Sequence, residues 1–105
     1  MASINTVMPR ISRHRDKCKT GHLCSPTAPV NASQYTVFAN GKAILRRGDK
    51  VAPHKILKPP RCVPHKAKLS GSSFTVFVRG IGVGRRGDRA DFGAMTGASF
   101  DVFAG

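Results

Sequence analysis

The sequence predicts an all-β fold of short hairpins built from three related repeats. Three observations carry this expectation. Gly 11 and Pro 7 punctuate the 105 residues so densely that no window of helical length keeps a clean 3.6-residue apolar period. The five acids are all Asp, whereas helices draw freely on Glu. Short runs rich in β-branched and aromatic residues recur instead, bounded by Gly and Asn.

The first such run is Tyr35-Thr-Val-Phe-Ala39, followed by Ala43-Ile-Leu45. Between them lies Asn40-Gly41, whose residues both tolerate positive φ, as a two-residue hairpin turn requires. Phe74-Thr-Val-Phe-Val78 comes next, with Arg79-Gly80 in the equivalent place, and Phe100-Asp-Val-Phe103 is the last. These runs are copies. The segment from Gln34 to Gly41 aligns with that from Ser73 to Gly80, and a shorter third copy runs from Ser99 to Gly105. Leu45-Arg-Arg-Gly-Asp49 and Gly84-Arg-Arg-Gly-Asp88 follow the first two copies, and Ser12-Arg-His-Arg-Asp16 is an earlier cognate.

Arg-x-x-Asp therefore occurs at Arg13/Asp16, Arg46/Asp49 and Arg85/Asp88. A period in this range marks one supersecondary unit used repeatedly, each unable to bury its apolar face alone. Closure around a pseudo-threefold axis is expected, because an open stack would need capping ends. The three Asp residues read as turn formers bonding nearby backbone, not as catalytic acids. Phe38, Phe77 and Phe103, at matching positions, read as buried.

Lys+Arg 18 against Asp+Glu 5 leaves a net charge of +13, which calls for a polyanionic partner or surface. The basic residues are spread from Arg10 to Arg89, so no compact basic arm is present. No apolar run approaches the roughly 20 residues of a membrane-spanning helix. Met1 to Pro9 lacks a charged leader and an apolar stretch, so no cleaved secretory signal is expected. With no Trp and one Tyr the core must be thin, and a non-hydrophobic staple is called for.

Cysteine and histidine form two clusters that could supply that staple. Cys18, His22 and Cys24 make the first; His54, Cys62 and His65 make the second, and His14 stands apart. Cys62-x-x-His65 has the spacing of two ligands on one loop, with His54 before it across Pro59-Pro60 and a fourth ligand from the first cluster. Four protein ligands close a site, which makes it a clamp and not a reaction centre. The competing reading is a Cys18–Cys24 disulfide with one free thiol.

Taken in order, these segments resemble the PAAR-repeat family, small conical proteins that cap the spikes of contractile phage tails and type VI secretion systems. The resemblance rests on Met8-Pro-Arg-Ile-Ser-Arg-His-Arg-Asp16, Gly21-His-Leu-Cys24, Thr36-Val-Phe-Ala-Asn-Gly-Lys42, Arg46-Arg-Gly-Asp49, Thr75-Val-Phe-Val-Arg-Gly80 and Arg85-Arg-Gly-Asp88. It covers residues 8–105 as one tip domain, after an N-terminal segment 1–7. The family's namesake tetrapeptide is replaced by Ala43-Ile-Leu-Arg46 and Gly82-Val-Gly-Arg85, and Asp91-Phe-Gly93 stands where relatives often carry a cysteine, so the third repeat is expected to supply no ligand.

The resemblance implies one structural zinc near the apex, held by His22, His54, Cys62 and His65, with Cys24 in reserve for the cysteine position. It implies a non-enzymatic, membrane-piercing tip. That tip would sit as a monomer on the blunt end of a trimeric β-helical spike protein and meet an anionic host outer membrane in passing. The implied location is the virion, at the tail baseplate tip; the alternative is the bacterial cytoplasm followed by type VI export. A free basic zinc-containing nucleic-acid-binding module is the competing class, and the tip reading expects no specific nucleic acid.

Overall fold

Turn chemistry sets the architecture. The computed structural model describes residues 8–105, so the segment 1–7 lies outside the described residues. Among the described residues there is no helix, and ten short strands pair into five two-stranded antiparallel sheets. These are β1 (Lys17–Lys19) with β2 (Thr27–Pro29), β3 (Phe38–Ala39) with β4 (Lys42–Ala43), and β5 (Lys50–Lys58) with β6 (Arg61–Lys68). The last two are β7 (Phe77–Val78) with β8 (Ile81–Gly82) and β9 (Arg89–Ala90) with β10 (Gly93–Ala94). The expected all-β fold of short hairpins is what the chain adopts. Asn40 and Gly41 take φ of 53° and 75°, and Arg79 and Gly80 take 52° and 82°, so both anticipated turns reverse the chain in two residues.

Each Arg-x-x-Asp segment is a turn closed by the same bonds. The backbone N–H groups of Arg13, Arg46 and Arg85 donate to Asp16, Asp49 and Asp88 Oδ2 at 2.7, 2.8 and 2.8 Å. The N–H of each Asp returns to the carbonyl of its Arg. The residue before each Asp (Arg15, Gly48 and Gly87) is left-handed, which makes the Asp residues architectural. Beside the turns the backbone closes on itself. Ser12 N–H donates to Gly84 O at 2.9 Å, Gly84 N–H to Leu45 O at 2.8 Å, and Leu45 N–H to Ser12 O at 3.0 Å. Buried Gln34, Ser73 and Ser99 each accept two backbone N–H groups from the residues two and three positions on.

The interior is small and non-aromatic. One cluster gathers Cys18, Val30, Leu45, Val51, Leu69 and Met95, and a second gathers Ile11, Ala39, Ile44, Val78, Val83 and Ala104. The phenylalanines expected inside are outside: Phe38, Phe77 and Phe103 are 53%, 55% and 44% exposed. Strand alternation explains the reversal, because in each copy the small neighbour Ala39, Val78 or Ala104 takes the inward position.

The longest strands fall where loops were expected. β5 and β6 form a hairpin whose residues 57–62 are all exposed, with the Pro59-Pro60 pair in its turn. Two prolines mask it in the sequence. Pro53 falls in the register shift between Val51 and His54, and Pro64 lies in a two-stranded sheet, where each strand has a free edge.

One close approach positions the turn after β9. A Cβ on Gly93 would overlap the backbone carbonyl of Lys19, and Phe92 N–H donates to Thr20 O at 3.1 Å. Gly93→Ala is therefore expected to cost about 1–3 kcal/mol by overpacking. It should also weaken metal binding through displaced Asp91, as measured by denaturant unfolding and metal titration of the same variant.

Candidate metal centre

Four elements deliver four side chains to one point. His22 follows the left-handed Gly21 (φ 81°) after β1, and its N–H is held by Thr20 Oγ1 at 3.1 Å. His54 and His65 are cross-strand partners in β5 and β6, so their side chains share one face of the hairpin. Asp91 begins the turn between β9 and β10 in left-handed backbone (φ 56°), which Asp tolerates better than most residues. The Phe92 ring covers His22 edge-on at 5.1 Å between centroids.

All three imidazoles aim Nε2 at the Asp91 carboxylate. His22 Nε2 lies 3.0 Å from both oxygens, His54 Nε2 2.6 Å from Oδ2, and His65 Nε2 3.2 Å from Oδ1. The Asp91, His54 and His22 side chains are 2%, 4% and 7% exposed, while His65 keeps 25%. His54 is informative about what belongs here. Its Nδ1–H donates to Ala52 O at 2.9 Å, which leaves a lone pair on Nε2 in the neutral ring. A lone pair facing a carboxylate oxygen at 2.6 Å needs a cation to reconcile them, either a proton or a metal ion. Backbone bonding of the distal ring nitrogen is also how ligating histidines are commonly oriented.

The group could hold a metal ion, since one ligand atom from each residue lies within 4.8 Å of the others. Tetrahedral ligands at about 2.0–2.1 Å from an ion sit about 3.3 Å apart, and the imidazole nitrogens stand 2.6–3.2 Å from the Asp91 oxygens. Without a metal, and with protons on the facing ring nitrogens, burial pushes the Asp91 carboxyl pKa up, but hydrogen bonds from His22, His54 and His65 and the charge of His22 outweigh it and hold it below its ordinary 3.8. The stability this contributes is complete above the unfolded value and is lost as pH falls through the lower folded one.

Three of the four expected ligands come together, and the fourth does not. Cys62 is bonded to Cys24 in a disulfide with Cα atoms 6.0 Å apart, so neither sulfur offers a thiolate. The physical reason lies in β6. Cys62 and His65 are three residues apart on a strand, which puts them on opposite faces, whereas the same spacing on a loop would let them converge. The alternative Cys18–Cys24 bridge does not form either. Cys18 is buried and free, and burial, followed by the negative charge of Asp91, pushes its thiol pKa up. His14 stays apart, its Nδ1 accepting Ala32 N–H at 2.9 Å.

Asp91 was missed because the third repeat lacks the expected cysteine. A signal for it was present: His22, His54 and Asp91 stand six, five and three residues after Asp16, Asp49 and Asp88, so each repeat offers one candidate ligand a few residues beyond its turn. No protein-family model and no curated protein matches the chain.

Proposed function

We propose that this chain is a non-enzymatic tip that caps the trimeric β-helical spike of a contractile injection machine. A phage tail baseplate is the first assignment and a type VI secretion spike the second. The observation that carries this is the pattern of exposed rings. Tyr35, Phe74 and Phe100, the second residues of the three copies, are 60%, 82% and 84% exposed, and Phe38, Phe77 and Phe103 accompany them. Exposed apolar surface of this kind marks a contact with a protein or a membrane. Its threefold repetition in one chain fits one copy seated on three identical subunits.

The closed set of bonds among Ser12, Leu45 and Gly84 supports a pseudo-threefold arrangement of the repeats. Zinc is the assigned ion, since three imidazoles and one carboxylate suit its tetrahedral preference. With every position filled by protein, the ion ties β1, the hairpin and the β9–β10 turn together and activates no water. Such a tip would reside at the distal end of the virion baseplate, or in the bacterial cytoplasm before type VI export.

The exposed rings also remove one objection to a nucleic-acid module, which needs rings on which bases can stack. The tip reading stands ahead because the ring segments carry few cations: none lies between Gln34 and Gly41 or between Ser99 and Gly105, and Arg79 alone between Ser73 and Gly80. The test is native mass spectrometry of the chain co-expressed with a trimeric spike protein encoded beside it. One copy per trimer is expected, and Phe74→Ser with Phe100→Ser should abolish the complex. Absence of a complex, together with sub-micromolar, sequence-selective DNA binding at physiological salt, would overturn the reading.

A further inference from the structure

The hairpin of β5 and β6 carries Lys50, Lys55, Lys58, Arg61, Lys66 and Lys68 and no acid, and all six cations are exposed. Every Asp of the chain is engaged elsewhere. Asp16 and Asp88 pair with Arg13 and Arg85, Asp49 binds Ser33 and the Arg46 N–H, Asp91 faces the imidazoles, and Asp101 binds Asn40 and Ser99. None of the six hairpin cations enters an ion pair among the described residues. Four of them form two cross-strand pairs, Lys50 with Lys68 and Lys58 with Arg61, an arrangement in which like charges repel and destabilise the sheet.

The repulsion has a geometry. Lys50, Lys66 and Lys68, with Asn31, surround a groove of about 490 Å³ whose remaining lining is apolar, from Val51, Pro53 and Ala67. At the other end of the hairpin, Leu57 is 47% exposed beside Lys58, Arg61 and the exposed Pro59 and Pro60. Cations interleaved with exposed aliphatic surface match a phosphate group joined to hydrocarbon. A nucleic-acid backbone would use the charges and leave Leu57 with nothing to bury it, and the exposed aromatic rings, which bases would need, lie outside this hairpin.

We infer that the 50–68 hairpin docks on a phosphate-bearing lipid surface. The groove of Lys50, Lys66 and Lys68 receives a phosphate head group, and Leu57 with Pro59-Pro60 enters the apolar boundary. This deepens the reading of the chain as a membrane-contacting tip and rests on it for its biological setting, while the binding itself is measurable without a spike. Each basic residue near an anionic membrane surface is worth about a fivefold gain in affinity.

The experiment is vesicle co-sedimentation of the full chain at about 0.15 M salt. The probes are phosphatidylcholine vesicles with and without lipid A. Binding is expected only with lipid A, and millimolar inorganic phosphate should leave it unchanged. Lys50→Gln/Lys66→Gln/Lys68→Gln should weaken it about 100-fold, with thermal midpoint and metal content unchanged, and Leu57→Ser should weaken it several-fold. Equal binding to neutral vesicles, or no loss in the triple variant, would overturn the inference. So would complete displacement by inorganic phosphate, which indicates a free-phosphate site, or tighter binding to duplex DNA that the triple variant also loses. Failed vesicle binding with an intact one-per-trimer spike complex would overturn this inference alone; a lost spike complex with vesicle binding intact would overturn the tip reading alone.

Discussion

His54→Ala is expected to lower the midpoint of thermal unfolding by at least about 15 °C, the equivalent of about 3 kcal/mol or more in a domain of this size. Three effects act together. The bound ion loses a ligand whose ring orientation is fixed by Ala52, and structural metal sites contribute binding energy directly to folding. Asp91, with a side chain 2% exposed, loses its shortest contact and becomes a buried carboxylate with less compensation. The β5–β6 hairpin also loses one of its two links to that carboxylate, the other being His65. His14→Ala is the control, because His14 accepts one backbone hydrogen bond outside the cluster. Its removal should cost about 1 kcal/mol and leave metal content unchanged. Calorimetry with elemental analysis of both variants checks this, and similar shifts in the two would contradict the clamp.

The second large effect concerns the sulfurs. Replacing Cys24 and Cys62 together by Ser is expected to cost about 3–4 kcal/mol on the chain-entropy account of a bridge spanning 38 residues. The bridge ties the exposed far half of the hairpin to the His22 loop, where Ser25 also accepts Lys55 N–H at 3.1 Å. The variant should still bind about one metal ion per chain, because its ligands are nitrogen and oxygen. Unfolding in denaturant gives the first quantity and metal analysis the second. A destabilised variant that has also lost its metal would return a cysteine to the ligand set.

Turns were the most legible part of the fold, because left-handed backbone demands particular residues. Asn40-Gly41, Arg79-Gly80 and the Arg-x-x-Asp turns all lie where their chemistry placed them. The long hairpin was illegible for a related reason. The Cys62-x-x-His65 segment was read as a loop beyond Pro59-Pro60, yet the four prolines from Pro53 to Pro64 sit at a register shift, at the turn and on a free-edged strand, where a missing N–H costs little. That misreading carried into the site, since the choice of Cys62 depended on a loop's freedom to aim two side chains together. On a strand, parity decides, and His54 and His65 pair across it. The burial assigned to Phe38, Phe77 and Phe103 failed on the same parity: alternation was visible, but which set faced inward depends on tertiary packing.

Zinc-edge X-ray absorption of the metal-loaded protein tests the central claim most directly, that His22, His54, His65 and Asp91 hold one ion between the three repeats. The predicted result is about one zinc per chain in a four-coordinate shell of nitrogen and oxygen alone, at about 2.0–2.1 Å. A sulfur scatterer at about 2.3 Å, or a folded chain that takes up no zinc, would contradict it.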